Sequence, residues 1–320
     1  MNPTGGFTTQ LSPSACKTAI DAVAWEEYMR ELQPSYLSAR EDFFFKQSQA
    51  QEYTYVWEEY SNIGPFEETN EQETIVNAEV RIGNQKTKSQ VKRIKQVPIS
   101  WEAFQTDRVG LRERIGRDIG DRAVLAQDKT GILETYGDFF AGTYNTTPDG
   151  QATCSNSHTT LKGVTVDNLE AGALNADNLW TLVQRLANQP AQDGEPGSQV
   201  FEGIVIPFIL YFTAKQTLNS ELVPFSGENQ LNVFHTTYGV VSIKSSIFLG
   251  STYNAATNAN TSYTIISRNH LIQRRVLAGL ATDLIEPKYT ENDCYALRGR
   301  IAEVCFPETW TGIAGSDGSS

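Results

Sequence analysis

Residues 73–97 read ETIVNAEVRIGNQKTKSQVKRIKQV and alternate between apolar and polar side chains over much of their length. The alternation is clearest over residues 75–82 and 86–97, and a period of two is typical of β-strands. Gly83-Asn84 between them suits a turn with positive φ. The pattern predicts a long β-hairpin with its tip at residues 83–89. Few side chains near this tip are apolar, and an isolated hairpin is marginally stable in water, so we expect a neighbouring molecule to support it.

The segment that follows, residues 101–136, predicts a long charged helix. Pro98 ends the extended pattern, and Ser100 is a suitable N-cap. An apolar stripe at helical spacing runs along the segment: Ile115, Ile119, Ala123 and Ala126. Glycines within it lower helix propensity by about 1 kcal/mol each, so they mark either a kink or a close contact with another element.

Charge is distributed unevenly along the chain, which has 320 residues and a formal net charge of −12. Net acidity argues against a dedicated nucleic-acid-binding protein, because such proteins carry a basic face. Residues 81–122 contain eleven basic and five acidic residues, whereas residues 1–70 contain four basic and eleven acidic residues. Opposite charge favours contact between the two segments, within one chain or between chains. Solvated faces without a partner are the alternative.

Three adjacent aromatic residues, Phe43, Phe44 and Phe45, lie in the acidic segment. Three consecutive side chains cannot all point to one side of a helix or a strand. Either the core of the chain or a partner chain must therefore surround them. Together with cations of the predicted hairpin and helix they form the set of candidate subunit-contact residues: Phe43, Phe44, Phe45, Lys86, Lys88, Lys92, Arg93, Lys95, Arg112 and Arg117.

The sequence offers little catalytic chemistry, since the motifs HExxH, GxGxxG, GxxxxGK[ST] and GxSxG do not occur in it. Ser155 and Ser157 lie close to His158, which raises the alternative of a nucleophile and its base. Cys154 with His158 raises the alternative of a zinc site. Neither pattern has the spacing of a known site. We predict no catalytic residue, no cofactor and no metal ion.

The four cysteines are irregularly spaced and contain no CxxC pair: Cys16, Cys154, Cys294 and Cys305. This spacing favours unlinked thiols over a metal site or a disulfide framework. Cys294 and Cys305 could approach each other if they lie near the ends of paired or bent strands.

The rest of the chain mixes strand and helix patterns without a regular βαβ order, which predicts the α+β class. A helix is expected over residues 176–188, and buried strands are expected over residues 200–207 and 263–267. The amino terminus lacks the pattern of a signal peptide. No run of about 18 apolar residues occurs, so no membrane span is expected.

Several motifs in this order resemble the major capsid proteins of tailed bacteriophages, whose fold also occurs in encapsulins and in herpesvirus capsid floors. A polar loop ends in SNSH at residues 155–158, and a strand ends in a proline in GIVIP at residues 203–207. GVVSI follows at residues 239–243, and YALRGRIA at residues 295–302 runs into VCFP at residues 304–307. The acidic segment, the hairpin and the long helix precede them, as in that family.

The resemblance implies an α+β subunit with an arm, an extended loop, a spine helix, a peripheral domain and an axial domain. The implied boundaries are residues 1–50 for the amino-terminal arm, 51–98 for the extended loop, 99–144 for the spine helix and peripheral domain, 145–269 for the axial domain and 270–320 for the return to the peripheral domain. In that family the arm and the loop reach across adjacent subunits.

The function implied is that of a structural head protein, without enzymatic activity, that self-assembles into an icosahedral shell around double-stranded DNA. An encapsulin-like compartment subunit is the alternative. The implied partners are copies of the chain in pentamers and hexamers, a separate scaffolding protein, a portal, in some cases a decoration protein, and packaged DNA in non-specific contact. Assembly in the host cytoplasm and a final place in the virion follow from the same resemblance, and no membrane partner is expected.

Overall fold

The computed structural model describes residues 13–30, 35–63, 80–106, 110–221, 232–239, 241–286 and 294–319. Its helices are α1 Pro13–Tyr28, α2 Trp101–Gln105, α3 Leu111–Glu134, α4 Ala176–Ala187, α5 Tyr211–Asn219 and α6 Val233–Tyr238. Its strands are β1 Lys46–Gln49, β2 Thr54–Tyr60, β3 Ile82–Ser89, β4 Val91–Ser100, β5 His158–Thr159, β6 Thr165–Val166, β7 Leu169–Glu170, β8 Phe201–Pro207, β9 Ser242–Ser246, β10 Tyr263–Ser267, β11 Ile272–Ile285, β12 Cys294–Pro307 and β13 Ile313–Ser316. This mixture confirms the predicted α+β class. Within the described ranges, no helix combines the length and apolar character needed to cross a membrane.

The chain divides into two compact units. The described residues of the first unit fall within residues 1–31, 90–127 and 276–303. Those of the second fall within residues 32–89, 128–275 and 304–320.

In the first unit, α1 packs closely against α3. The backbone carbonyl oxygen of Ala24 in α1 lies where a Cβ on Gly120 would be, and a Cβ on Gly116 would lie 3.2 Å from the Ile20 carbonyl oxygen. Gly116 and Gly120, two of the glycines predicted to mark a kink or a close contact, therefore mark a close contact. They cost helix propensity but let the two helix backbones approach.

The predicted single helix over residues 101–136 is instead two helices. Ser100 caps α2 as predicted, because its Oγ accepts a hydrogen bond from the Ala103 backbone N–H at 3.2 Å. Gly110 adopts a φ of +66°, which no regular helix allows, and α3 begins at the next residue.

The predicted pairing of residues 75–82 with residues 86–97 is wrong for the described strands. β3 pairs antiparallel with β2, whereas β4 pairs antiparallel with β12 from Cys294↔Ser100 to Glu303↔Val91. The four-stranded sheet that contains β4 has the order β1-β11-β12-β4. Residues 75–79 lie outside the described residues.

Gly83-Asn84, the predicted turn, lies inside β3. A Cβ on Gly83 would lie 2.5 Å from Leu161 Cδ2 and 3.1 Å from the Glu59 Cβ. The glycine therefore permits a close approach and does not supply a positive φ.

The second unit is built on a five-stranded sheet with the order β7-β13-β10-β8-β9. β8 runs parallel to β9 and antiparallel to β10, which pairs antiparallel with β13. The side chains of β10 are buried along its whole length, as are nearly all of those of β8. The buried face of α4 packs on this sheet through Leu179, Leu182, Val183 and Leu186. The strand and helix patterns predicted for these three segments are confirmed.

Candidate assembly surfaces

β2 and β3 form the hairpin of the second unit, with partners that run from Thr54↔Ser89 to Tyr60↔Ile82. Residues directly opposite each other in an antiparallel pair share a face. One face of this hairpin, the inner face, therefore carries Tyr55, Trp57 and Glu59 on β2 and Lys86 and Lys88 on β3. The opposite, outer face carries exposed Val56 and Tyr60.

Aromatic contacts hold the inner face against the carboxyl-terminal end of β12 and the residue that follows it. The Trp57 ring stacks on Phe306 with centroids 4.6 Å apart, and its Nε1–H donates to the Glu308 carbonyl oxygen at 2.9 Å. The Tyr55 hydroxyl donates to Glu308 Oε1 at 2.9 Å, and the Arg275 guanidinium lies 3.3 Å from the Tyr55 ring centre. These stacked and charge-assisted contacts hold the hairpin base on its own chain.

The two lysines of the inner face bind a loop of the same unit. Lys86 Nζ donates to Thr146 Oγ1 at 2.6 Å. Lys88 Nζ donates to Asn145 Oδ1 at 2.6 Å and to the Tyr144 carbonyl oxygen at 3.0 Å. Burial lowers the pKa of Lys88 against the opposing effect of nearby carboxylates. The two lysines predicted to contact another subunit thus have partners within the chain.

A carboxylate of the same face has no such partner. Glu59 is 7% exposed, and its Oε1 makes no hydrogen bond within the described part of the chain. Burial, and next the charge of Asp149, raise the pKa of Glu59 to about 7. A carboxylate with a buried, unbonded oxygen is costly in its ionised form.

His158 has no exposed surface and does not form a nucleophile pair. Its Nδ1 lies 2.7 Å from Asp149 Oδ2 and its Nε2 lies 3.1 Å from the Thr153 carbonyl oxygen. Ser155 Oγ is instead paired with Ser157 Oγ at 3.1 Å. Both ring nitrogens are occupied, so His158 has no nitrogen left to activate a serine.

Cys154 is buried, and burial raises its pKa well above the usual range of a thiol. Because the thiolate is the form that binds zinc, this environment disfavours a metal ligand. No group of three or more potential ligands is arranged for a metal ion among the described residues.

A second surface lies in the first unit, where α3 faces β4, β11 and β12 across a groove of about 420 Å³. This basic groove has an apolar floor formed by Val97, Ile119, Ala123, Ala126, Leu280 and Ile301. Its charged residues are Arg93, Lys95, Arg122, Arg300 and Asp118. The groove thus gathers two predicted cations, Arg93 and Lys95, with two others.

The remaining predicted cations of the first unit do not line this groove. Lys92 and Arg117 are exposed on β4 and α3. Arg112 places its guanidinium 5.2 Å from the centre of the Phe104 ring, which is a cation–π contact within the unit.

The three phenylalanines are surrounded by their own chain. Phe44 and Phe45 are buried in a core of the second unit, where Phe45 meets the Tyr136 ring edge to face at 5.5 Å. Phe43 is partly buried and meets His270 edge to face at 6.0 Å. Phe44 and Phe45 therefore offer no surface to another subunit. Of the two predicted alternatives, the core of the chain surrounds them and not a partner chain.

Sequence reasoning missed several residues of both surfaces. Glu59 was counted only as one of many acidic residues, because its burial depends on a loop about ninety positions away. Arg300 reaches the basic groove from β12, and only the pairing of β12 with β4 could have indicated this. Arg122 was accessible to prediction, since it lies three and four residues from the helical stripe at Ile119 and Ala126.

No protein-family model and no curated protein matches the sequence. Solved structures do match. The mature capsid of bacteriophage PhiM1 aligns at 12% identity with a TM-score of 0.53, over 90% of this chain and 87% of that one. The capsid of an empty GTA particle aligns at 9% identity with a TM-score of 0.55, over 91% and 93%.

The capsid of Myoviridae phage XM1 aligns at 11% identity with a TM-score of 0.52, over 90% of this chain and 94% of that one. Matches at such low identity over nearly the whole of both chains establish a common fold. The chain has the α+β fold of tailed-phage capsid proteins, as its motifs predicted.

Proposed function

We propose that this chain is the major capsid protein of a tailed virus and that it assembles into an icosahedral shell around double-stranded DNA. The observation that carries the proposal is the shared fold over 90–91% of this chain and 87–94% of three capsid chains. Because the alignment covers nearly all of both partners, the likeness extends to the complete capsid subunit and not to one common domain.

The role is structural and not catalytic. Many copies of one surface close a shell by symmetry, and linked weak contacts give a large total stability. The surfaces available for such contacts are the outer face of the hairpin and the basic groove of the first unit. Lys92, Arg93, Lys95 and Arg117 remain proposed subunit-contact residues, because each lies on an accessible part of β4 or α3.

The proposed partners are other copies of the chain in pentamers and hexamers, a separate scaffolding protein, a portal, a decoration protein in some particles and the packaged DNA. The net charge of −12 favours a weak contact with DNA, since a strongly basic wall would resist its movement in and out. We place the assembled chain in the virion and its assembly in the host cytoplasm.

Electron microscopy of the purified protein, produced alone and together with a scaffolding protein, tests the proposal. Closed shells that protect DNA from nuclease are the expected result when packaging proteins are supplied. Small shells filled with protein cargo would favour the encapsulin-like alternative. A protein that stays monomeric under all of these conditions would refute both.

A further inference from the structure

The carboxyl group of Glu59 is poorly satisfied where the hairpin faces its own chain. It lies on the inner face, it is 7% exposed, and its Oε1 has no hydrogen-bond partner among the described residues. The neighbouring Trp57 and Lys86 on the same face each have a bonded partner. The hairpin is therefore held by several favourable contacts and strained at one position.

Gly83 on β3 packs close to Glu59. A Cβ on Gly83 would lie 2.5 Å from Leu161 Cδ2, 3.1 Å from Glu59 Cβ and 3.4 Å from Glu59 Oε2. The Oε1 atom of Glu59 is thus buried while the hairpin is docked. Opening of the hairpin would expose it to water.

The charged groups around Glu59 further destabilise its ionised form. Among the described residues, Asp149 in the loop that faces the hairpin is the charged group that raises the pKa of Glu59. His158 cannot compensate directly, because its Nδ1 is bound to Asp149 at 2.7 Å. Lys86 and Lys88 lie on the same face of the hairpin but bond to Thr146 and to Asn145.

We propose that Glu59 is a proton-operated latch, in which the protonated carboxyl keeps the hairpin docked on residues 143–161 and the ionised carboxylate, opposed by Asp149, releases it. The device lies within one chain and does not depend on shell assembly. Release would free the inner face of the hairpin, including Trp57, for another contact.

The direction of the pH effect follows from the raised pKa. In the docked state the pKa of Glu59 is about 7, against 4.5 for an ordinary glutamate. A raised acid pKa means that the docked state binds the proton more tightly than the open state. Docking is therefore strongest below about pH 4.5, weakens as the pH rises to about 7, and changes no further above that.

Hydrogen exchange of the unassembled chain, measured at about pH 5 and about pH 8 and corrected for intrinsic rates, tests the latch. An undocked hairpin is marginal on its own, so release exposes the amides of β2 and β3. We expect their protection to fall about tenfold or more at the higher pH. Glu59→Gln should abolish this fall, because glutamine is neutral at both values.

Glu58→Gln is the matched control, since Glu58 is exposed on the outer face of the same strand and should keep the pH dependence of the wild type. An equal fall in protection in Glu59→Gln and the wild type would overturn the latch, and so would an unchanged wild type. Should Glu59→Gln not fold, Asp149→Asn provides the second test, because removing the neighbouring charge should move the midpoint to lower pH. Shell formation plays no part in these readouts.

Discussion

The five-stranded sheet and the hairpin of the second unit are both β-structures, yet they are stabilised in different ways. β8 and β10 bury side chains on both faces, so Ile204 and Ile265 have no exposed surface. The hairpin is covered on its inner face alone, and Tyr60 on its outer face is 65% exposed. A sheet buried on both faces is fixed by its own core. A hairpin anchored on one face leaves its second face exposed.

The largest expected effect is a loss of stability in the five-stranded sheet. Ile204→Ala removes a fully buried side chain from β8 and leaves a cavity, so we expect the free energy of unfolding to fall by about 2–5 kcal/mol. Denaturant titration followed by circular dichroism measures the loss. Ile209→Ala is the matched control, because Ile209 is 67% exposed and its truncation should cost less than about 1 kcal/mol. Equal losses in the two variants would contradict the contrast between buried and exposed positions.

The second prediction separates the hairpin from the sheet. Trp57→Ala removes the stack on Phe306 and the hydrogen bond to Glu308, so the hairpin should open about 2 kcal/mol more easily while the sheet keeps its protection. Hydrogen exchange resolved by peptide measures both regions in one sample. Tyr53→Ala, at an exposed position just before β2, is the control and should leave the hairpin protected. Loss of protection across the sheet as well would show that the two regions unfold as one.

Sequence patterns predicted the sheet better than the hairpin for a physical reason. Residues 200–207 and 263–267 are apolar runs, and such runs are recognised wherever their partners lie. Residues 82–89 and 91–100 also look like strands, but their partners lie at residues 54–60 and 294–303. Strands that are adjacent in sequence usually pair with each other. Here each strand pairs with a distant segment instead, and the sequence pattern does not reveal that segment.

The candidate surfaces show the same limit. The cluster of cations in residues 81–122 was visible in the sequence, and Arg93 and Lys95 do reach a common groove. Phe44 and Phe45 looked equally suitable for contact with a partner, but the core of the second unit surrounds them. Sequence gives the charge and size of a side chain, whereas its exposure depends on packing that single-sequence patterns do not contain.

The third prediction extends the comparison to β4, whose cations Lys92 and Arg93 are proposed subunit contacts. Lys92→Glu with Arg93→Glu reverses two charges, so shell yield should fall at least about tenfold through like-charge repulsion. The free energy of unfolding of the subunit should fall by no more than about 2 kcal/mol, because Lys92 is exposed and Arg93 is only half-buried. Electron microscopy and sedimentation measure the yield, and denaturant titration measures the fold.

Lys162→Glu with Lys215→Glu makes the same change in net charge at exposed positions of the second unit and serves as the control. If the control lowered the yield as much, total charge and not the β4 surface would be responsible. Normal particle yield from the β4 variant would remove these two residues from the proposed contacts.

The smallest expected effect lies on the open side of the hairpin. Thr54 Oγ1 and Ser89 Oγ are 3.3 Å apart and exposed, so water replaces their contact at little cost. Thr54→Ala should therefore change hairpin protection by no more than about 0.5 kcal/mol, against about 2 kcal/mol for Trp57→Ala, in the same exchange experiment. The ratio of the two effects tests whether the hairpin is held from its inner face. A loss in Thr54→Ala that matched the loss in Trp57→Ala would mean that the cross-strand pairs, and not the anchor on Phe306 and Glu308, keep the hairpin in place.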